Sequence, residues 1–158
     1  MCEKIRPYFP MFVDIWEKKI VIIGGGGVAA RRLQTLLQFS ENIVLIAPEV
    51  DNRIYNLQQE YPFEIILEEY KQEYILDADM VLSATNNSEV DNQIYGVCKC
   101  LGIQVNISSD KSKCDFYFPG VVRDTNLVIG VTSSGTDYSK TKRAVQNISS
   151  LYNKNEKK

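Results

Sequence analysis

Short, wholly apolar or nearly apolar runs recur along the chain: IVII at 20–23, IVLI at 43–46, EIIL at 64–67, MVLSA at 80–84 and IQVNI at 103–107. Runs of this length, rich in β-branched residues, predict strands buried on both faces. Between them the pattern shifts to helical period. Ala29, Leu33, Leu36 and Leu37 share one face, with Arg31, Arg32, Gln34, Thr35 and Gln38 off it. A further helix is predicted over 88–101, opened by SEVD, a Ser-x-x-Asp capping pattern. DNRIYNLQQE also reads as helical, and YKQEYILD as a shorter helical turn. Such alternation specifies an α/β fold: a Rossmann-like doubly wound parallel sheet with helices on both faces, over residues 1–112.

After residue 110 the pattern changes. FYFPGVV and LVIGV are strand-like and separated by RDTN, which predicts a β-hairpin. TSSGTD then opens a last helix with Ala144, Val145, Ile148, Leu151 and Tyr152 on one face and Arg143, Gln146 and Asn147 off it. A hairpin plus one helix is too small to enclose a core, so residues 113–158 are expected to pack on something else, a second copy being one option. The final NKNEKK is expected to be frayed.

Composition narrows the chemistry. At 158 residues, 44% apolar and 24% charged, the chain is sized for one globular domain with a small appendage. No apolar run approaches bilayer thickness, and MCEKIRPYFP carries an acid and a proline where a secretory signal has its apolar core. A cytoplasmic location away from membranes is the expectation. There is no histidine, which excludes imidazole catalysis. Cys98 and Cys100, two apart on a helix, point roughly 200° apart and cannot share an ion, so reduced thiols and no metal site are expected. The net charge of −2 hides a split. Residues 1–110 hold 9 basic and 16 acidic side chains, and residues 111–158 hold 9 basic and 4 acidic. The basic third is expected to face something anionic. Phe116, Tyr117 and Phe118 alternate with no basic residue, which argues against a nucleic-acid stacking platform and leaves a small polyanion at least as good a fit.

Gly24, Gly26 and Ala29 form G-x-G-x-x-A directly after the first strand and at the start of a helix, within the run GGGGVAA that also holds Gly25, Gly27 and Val28. The first glycine permits the turn, the second lets backbone approach a pyrophosphate, and the small third residue allows close helix–strand packing. The helix N-terminus offers free N–H groups to the phosphates. The motif and its context point to dinucleotide binding. The acid that usually takes the adenosine ribose is displaced: strand two ends at Ala47 and Pro48, with Glu49 just beyond and no basic residue before Arg53, which favours NAD over NADP. Strand ends rim the crevice of an open parallel sheet, placing Thr85, Asn86, Asn106, Ser108, Ser109 and Asp110 there, whereas Asn87 and Ser88 read as helix caps.

These residues resemble the precorrin-2 dehydrogenases, the N-terminal half of siroheme synthase. The matching segments are PMFVDIWEKKIVIIGGGGVAARR, LIAPE, SATNN and VNISSDKSKCDFYFPGVVRDTNLVIGVTSSG, in order over roughly residues 10 to 136. The resemblance implies NAD-dependent oxidation of precorrin-2, a tetrapyrrole with eight carboxylates, to sirohydrochlorin on the route to siroheme or cobalamin. It implies dinucleotide contacts at Gly27, Val28, Pro48 and Glu49. It offers Lys111, Lys113, Arg123, Lys142 and Arg143, with Asn106, as substrate contacts. It implies a homodimer built from the segment after the NAD domain, and a helical C-terminal domain expected here to be short or absent. Bifunctional members carry an acid three residues after the asparagine matching Asn106; that position is Ser109, with Asp110 beside it. Asp110 and Ser109 are thus the candidate catalytic residues, and little metal insertion is expected. The competing reading is a non-catalytic, dimeric NAD-sensing module.

Overall fold

The computed structural model describes residues 7–153, with side chains to 152. It divides into two compact units, Asp14–Phe116 and the described residues up to Val13 together with those from Tyr117 onward.

In the larger unit five strands form one parallel sheet: β1 Ile20–Ile23, β2 Ile43–Ile46, β3 Glu64–Ile66, β4 Met80–Ser83 and β5 Gln104–Ile107, in the order β3-β2-β1-β4-β5. β1 pairs in register with both neighbours, Ile20 opposite Ile43 and Met80, and Ile23 opposite Ile46 and Ser83. The helices α1 (Gly27–Leu36), α2 (Asn52–Glu60) and α3 (Ser88–Leu101) connect them. Chain order runs outward through β2 and β3, then returns to β4 on the other side of β1. Right-handed crossovers then put α1 and α2 on one face and α3 on the other. The change of direction lies between β1 and β4, where such sheets open a ligand crevice.

Strands β1, β2 and β4 are the apolar runs, and Ile20, Val21, Ile22, Leu45, Val81 and Leu82 have no exposure at all. Val21, Ile23, Val81, Val105 and Ile107 join Ile94 and Cys98 of α3 and Ile75 in one core cluster. Alternation sends Ile20 and Ile22 to the opposite face, that of buried Leu33 and Ile54. Each such side chain contributes about 1.5–3 kcal/mol by leaving water. β3 differs from the expectation of burial on both faces: as an edge strand it is half-buried, with Glu64 exposed. YKQEYILD forms a single 3-10 turn, Gln72–Ile75.

α3 spans the residues expected, and of the two expected caps, Asn87 and Ser88, it is Asn87 that serves. Asn87 occupies the cap position and its side-chain oxygen accepts from the N–H groups of Glu89 (3.0 Å) and Val90 (3.3 Å). Asp91, which SEVD offers as the reciprocal capping acid, is buried instead.

In the smaller unit β6 (Gly120–Asp124) and β7 (Leu127–Val131) form an antiparallel hairpin, Asp124 opposite Leu127. β6 begins only after Pro119, so FYFP is not part of the strand. α4 (Tyr138–Asn153) follows, and the Asp137 carboxylate accepts from the Lys140 N–H at 2.9 Å. The helix lies close on the hairpin: a Cβ on Gly120 would stand 2.6 Å from a Val145 methyl. Leu151 lies off the packed stripe, 63% exposed. Tyr8 and Tyr117 stack with ring centroids 4.1 Å apart and their hydroxyls 2.9 Å apart.

Candidate functional site

The glycine run sits where β1 ends, and its members are glycine for different reasons. Gly24 has φ +111°, and a Cβ there would stand 2.4 Å from the Ala84 carbonyl oxygen. The turn therefore abuts the end of β4. A Cβ on Gly25 would stand 2.1 Å from the Glu49 carbonyl oxygen, so the run is also pressed against the segment after β2. Hydrogen bonds hold both contacts: Ala84 N–H to Ile23 O at 2.8 Å on the β4 side, and Asp51 N–H to Gly25 O at 2.8 Å on the β2 side. At Gly26, the N-cap of α1, nothing beyond its own chain neighbours lies within 4 Å of a Cβ. The protein's own packing does not require glycine there, and the open space lies at a helix N-terminus suited to phosphate. Ala29 is fully buried, as close helix–strand packing needs, while Val28 is 39% exposed.

At the end of β2, Ala47 is buried and Pro48 and Glu49 are exposed. The next acid, Asp51, caps α2 and forms an ion pair with Arg53 at 2.8 Å. The Arg53 guanidinium holds Asp51 well below the usual carboxylate range. The same guanidinium nitrogen lies 2.8 Å from where a Cβ on Gly27 would stand, so a cation borders the glycine run.

Beyond β4 and β5 the structure assembles a group that sequence reasoning missed. Asp91 of α3 is only 4% exposed. Its Oδ1 accepts from Ser83 Oγ (2.6 Å) and Thr85 Oγ1 (2.7 Å), and its Oδ2 from Ser109 Oγ (2.6 Å). Ser109 is exposed and Thr85 half-buried, whereas Ser83 is fully buried. The available signal was an acid at the spacing of the buried Ile94 and Cys98, on the apolar stripe of α3. Asn86 is exposed beside this group.

Asn106 is 3% exposed, with both ends of its amide engaged: Oδ1 accepts from Arg32 and Nδ2 donates to Phe116 O at 2.8 Å. Ser108 is also turned inward, its hydroxyl donating to Ser83 O. Asp110 caps the 3-10 turn Lys111–Lys113, accepting from Ser112 N–H (3.0 Å) and Ser112 Oγ (2.7 Å) and pairing with Lys113 at 2.9 Å. The Ser112 and Lys113 bonds bring its pKa down to about 2. Such a carboxylate is charged at neutral pH and is a weak base. Lys113 also donates to Asn92 Oδ1 at 2.7 Å. Lys111 is exposed. Arg123, on β6, and Lys142 and Arg143, on α4, are exposed in the smaller unit. Cys98 is buried, which pushes its thiol up to about 11, while Cys100 is exposed. Among the described residues no helix is long and apolar enough to cross a membrane.

A parallel β3-β2-β1-β4-β5 sheet whose first strand runs through a glycine turn into an open helix N-terminus defines a dinucleotide-binding α/β protein. The family model described as putative NAD(P)-binding matches residues 11–120, and the chain belongs to that family. It is 32% identical over 127 residues to a siroheme synthase of Psychrobacter arcticus, covering 80% of this chain and 23% of that protein. It is also 32% identical over 141 residues to a probable multifunctional siroheme biosynthesis protein of Ruminiclostridium josui, covering 89% of this chain and 27% of the other. The chain thus spans about a quarter of the length of these curated relatives. Its fold is shared with SirC, a precorrin-2 dehydrogenase, at TM-score 0.81 and 22% identity over 92% of this chain and 71% of that one.

Proposed function

We propose that the chain is an NAD-dependent dehydrogenase that oxidises precorrin-2 to sirohydrochlorin in siroheme or cobalamin biosynthesis. The observation that carries this reading is the open Gly26 position, following Gly24 and Gly25, which are pressed against the β4 and β2 ends, in a chain similar to siroheme synthases and folded like a precorrin-2 dehydrogenase. NAD would lie with its pyrophosphate at Gly24–Ala29, its adenosine half toward Ala47, Pro48 and Glu49, and its nicotinamide half over Thr85 and Asn86. It supplies the hydride acceptor. The exposed cations Lys111, Arg123, Lys142 and Arg143 have the right charge for a substrate carrying eight carboxylates. The amide of Asn106, engaged on both sides, acts by holding α1 to the segment before Phe116 rather than by touching substrate.

Metal insertion is expected to be slow. Insertion of a divalent ion releases two pyrrole protons and calls for a base beside the ring centre. Asp110, with its pKa of about 2, is poorly suited to that role, and the Ser109 hydroxyl is turned to Asp91, a carboxylate with room for one proton where insertion releases two. Supplying precorrin-2 with NAD, and separately sirohydrochlorin with ferrous or cobaltous ion, tests both halves of the reading. Enzyme-dependent NADH formation without comparable metal insertion is the expected result. NAD binding with no oxidation of precorrin-2 would instead favour a sensing module.

A further inference from the structure

We propose that Asp91 is a positioning residue that orients Ser109 to accept the proton released as the substrate is oxidised. The proposal rests on the dehydrogenase reading above and adds a route for the proton, which that reading leaves open.

A carboxylate is rarely this buried unless compensated, because removing its charge from water costs several kcal/mol. The partners that compensate Asp91 are three hydroxyls rather than a cation. For packing alone, the stripe that supplies Ile94 and Cys98 would be served at lower cost by another apolar side chain. The arrangement has instead a direction. The buried Ser83 and the half-buried Thr85 secure Oδ1, leaving Oδ2 to the exposed Ser109. A hydroxyl has one proton to donate. Because Ser109 gives its proton to Asp91, its lone pairs are turned away from the carboxylate, as acceptors. Through Oδ2 the buried carboxylate thereby acts on the exposed Ser109 hydroxyl.

The location suits that role. The Gly24 turn abuts Ala84, and a Cβ on Gly24 would stand 3.2 Å from the Thr85 nitrogen. With the pyrophosphate at this turn and the adenosine half directed to β2, the rest of the dinucleotide extends over the ends of β4 and β5. Thr85 and Ser109 stand at those ends.

The chemistry balances. A ring C–H of the tetrapyrrole breaks, and its hydrogen leaves with the bonding pair as hydride to the nicotinamide. The oxidised ring then gives up a proton to Ser109 Oγ while the hydroxyl proton of Ser109 passes to Asp91 Oδ2. Release to water through the same hydroxyl restores the starting state. The substrate has lost two hydrogens, NAD is reduced and one proton is freed.

The test uses the full chain with Asp91→Asn, Ser109→Ala, the double variant and Ser109→Thr, measuring NAD affinity by calorimetry and precorrin-2 oxidation by NADH absorbance. Both single variants should bind NAD as the parent does and lose kcat by about 100-fold, with KM little changed. The double variant should be no slower than either single one, because the two groups act as a unit. Ser109→Thr, which keeps a hydroxyl, should restore most of kcat. Ser109 is exposed, so Ser109→Ala decides the matter even if Asp91→Asn fails to fold. An active parent with Ser109→Ala retaining more than half of kcat would overturn the proposal and leave the dehydrogenase reading standing. A parent that binds NAD and does not oxidise precorrin-2 would overturn both.

Discussion

Gly24 and Gly26 are both glycine, for opposite reasons. Gly24 must adopt φ +111° against the Ala84 carbonyl, so the protein itself forbids a side chain. Gly26 has open space around it, so on the proposed reading it is the bound dinucleotide that would forbid one. Gly24→Ala should therefore destabilise the fold by at least about 1–2 kcal/mol, from the left-handed backbone alone, in chemical denaturation. Gly26→Asp should leave the denaturation midpoint nearly unchanged while NAD affinity collapses, since it adds bulk and like charge where the pyrophosphate lies. A folded Gly26→Asp chain with parental NAD affinity would remove the loop from the site. The glycine motif was legible at this scale because its residues are contiguous and their spacing carries the mechanism. Asp91 was not, because its partners lie 8, 6 and 18 residues away and meet only when β4, β5 and α3 are assembled. In sequence the same carboxylate reads as a local capping acid.

The elements themselves were legible where burial dominates. IVII, IVLI and MVLS are long enough and apolar enough that no other structure would bury them, and they form β1, β2 and β4. Legibility fell at element ends, where single hydrogen bonds decide. FYFP is apolar and β-prone, but the strand starts after Pro119, which has no N–H to give a ladder. At α3 both Asn87 and Ser88 read as caps, and it is Asn87 that reaches two backbone N–H groups, while Ser88 is the first helical residue. Asn87→Ala should cost about 1 kcal/mol in chemical denaturation, and Ser88→Ala only a few tenths. A larger loss from Ser88→Ala than from Asn87→Ala would reverse the assignment. Because α3 carries Asp91, loosening its first turn should also slow precorrin-2 oxidation more than it weakens NAD binding.

The smaller unit bears on how copies of the molecule associate. We propose a homodimer formed through this unit, whose described residues make a two-stranded hairpin, one helix and little interior: among the described residues of the unit, Val122 is the only buried apolar side chain. A hairpin this small is marginal without further cover. The stripe of α4 expected to face the partner is partly used at home, because Val145 meets Gly120 of the same unit. Replacing Val145 and Ile148 by glutamate would thus loosen the unit as well as any dimer, and its outcome would be ambiguous. Leu151 at 63% exposure, Tyr138 at 81% and Leu127 at 40% are the better probes, since they are apolar and uncovered. Phe9 at 89% and Phe12 at 72% add to the uncovered apolar surface of the same unit. Uncovered apolar side chains of this kind suit a self-complementary contact about a two-fold axis. The native chain should therefore sediment as a dimer at micromolar concentration. Leu151→Glu together with Leu127→Glu should give monomers whose far-ultraviolet circular dichroism is that of the parent. A native chain that sediments as a monomer would end the proposal, and a double variant that remains dimeric would move the interface off these two residues.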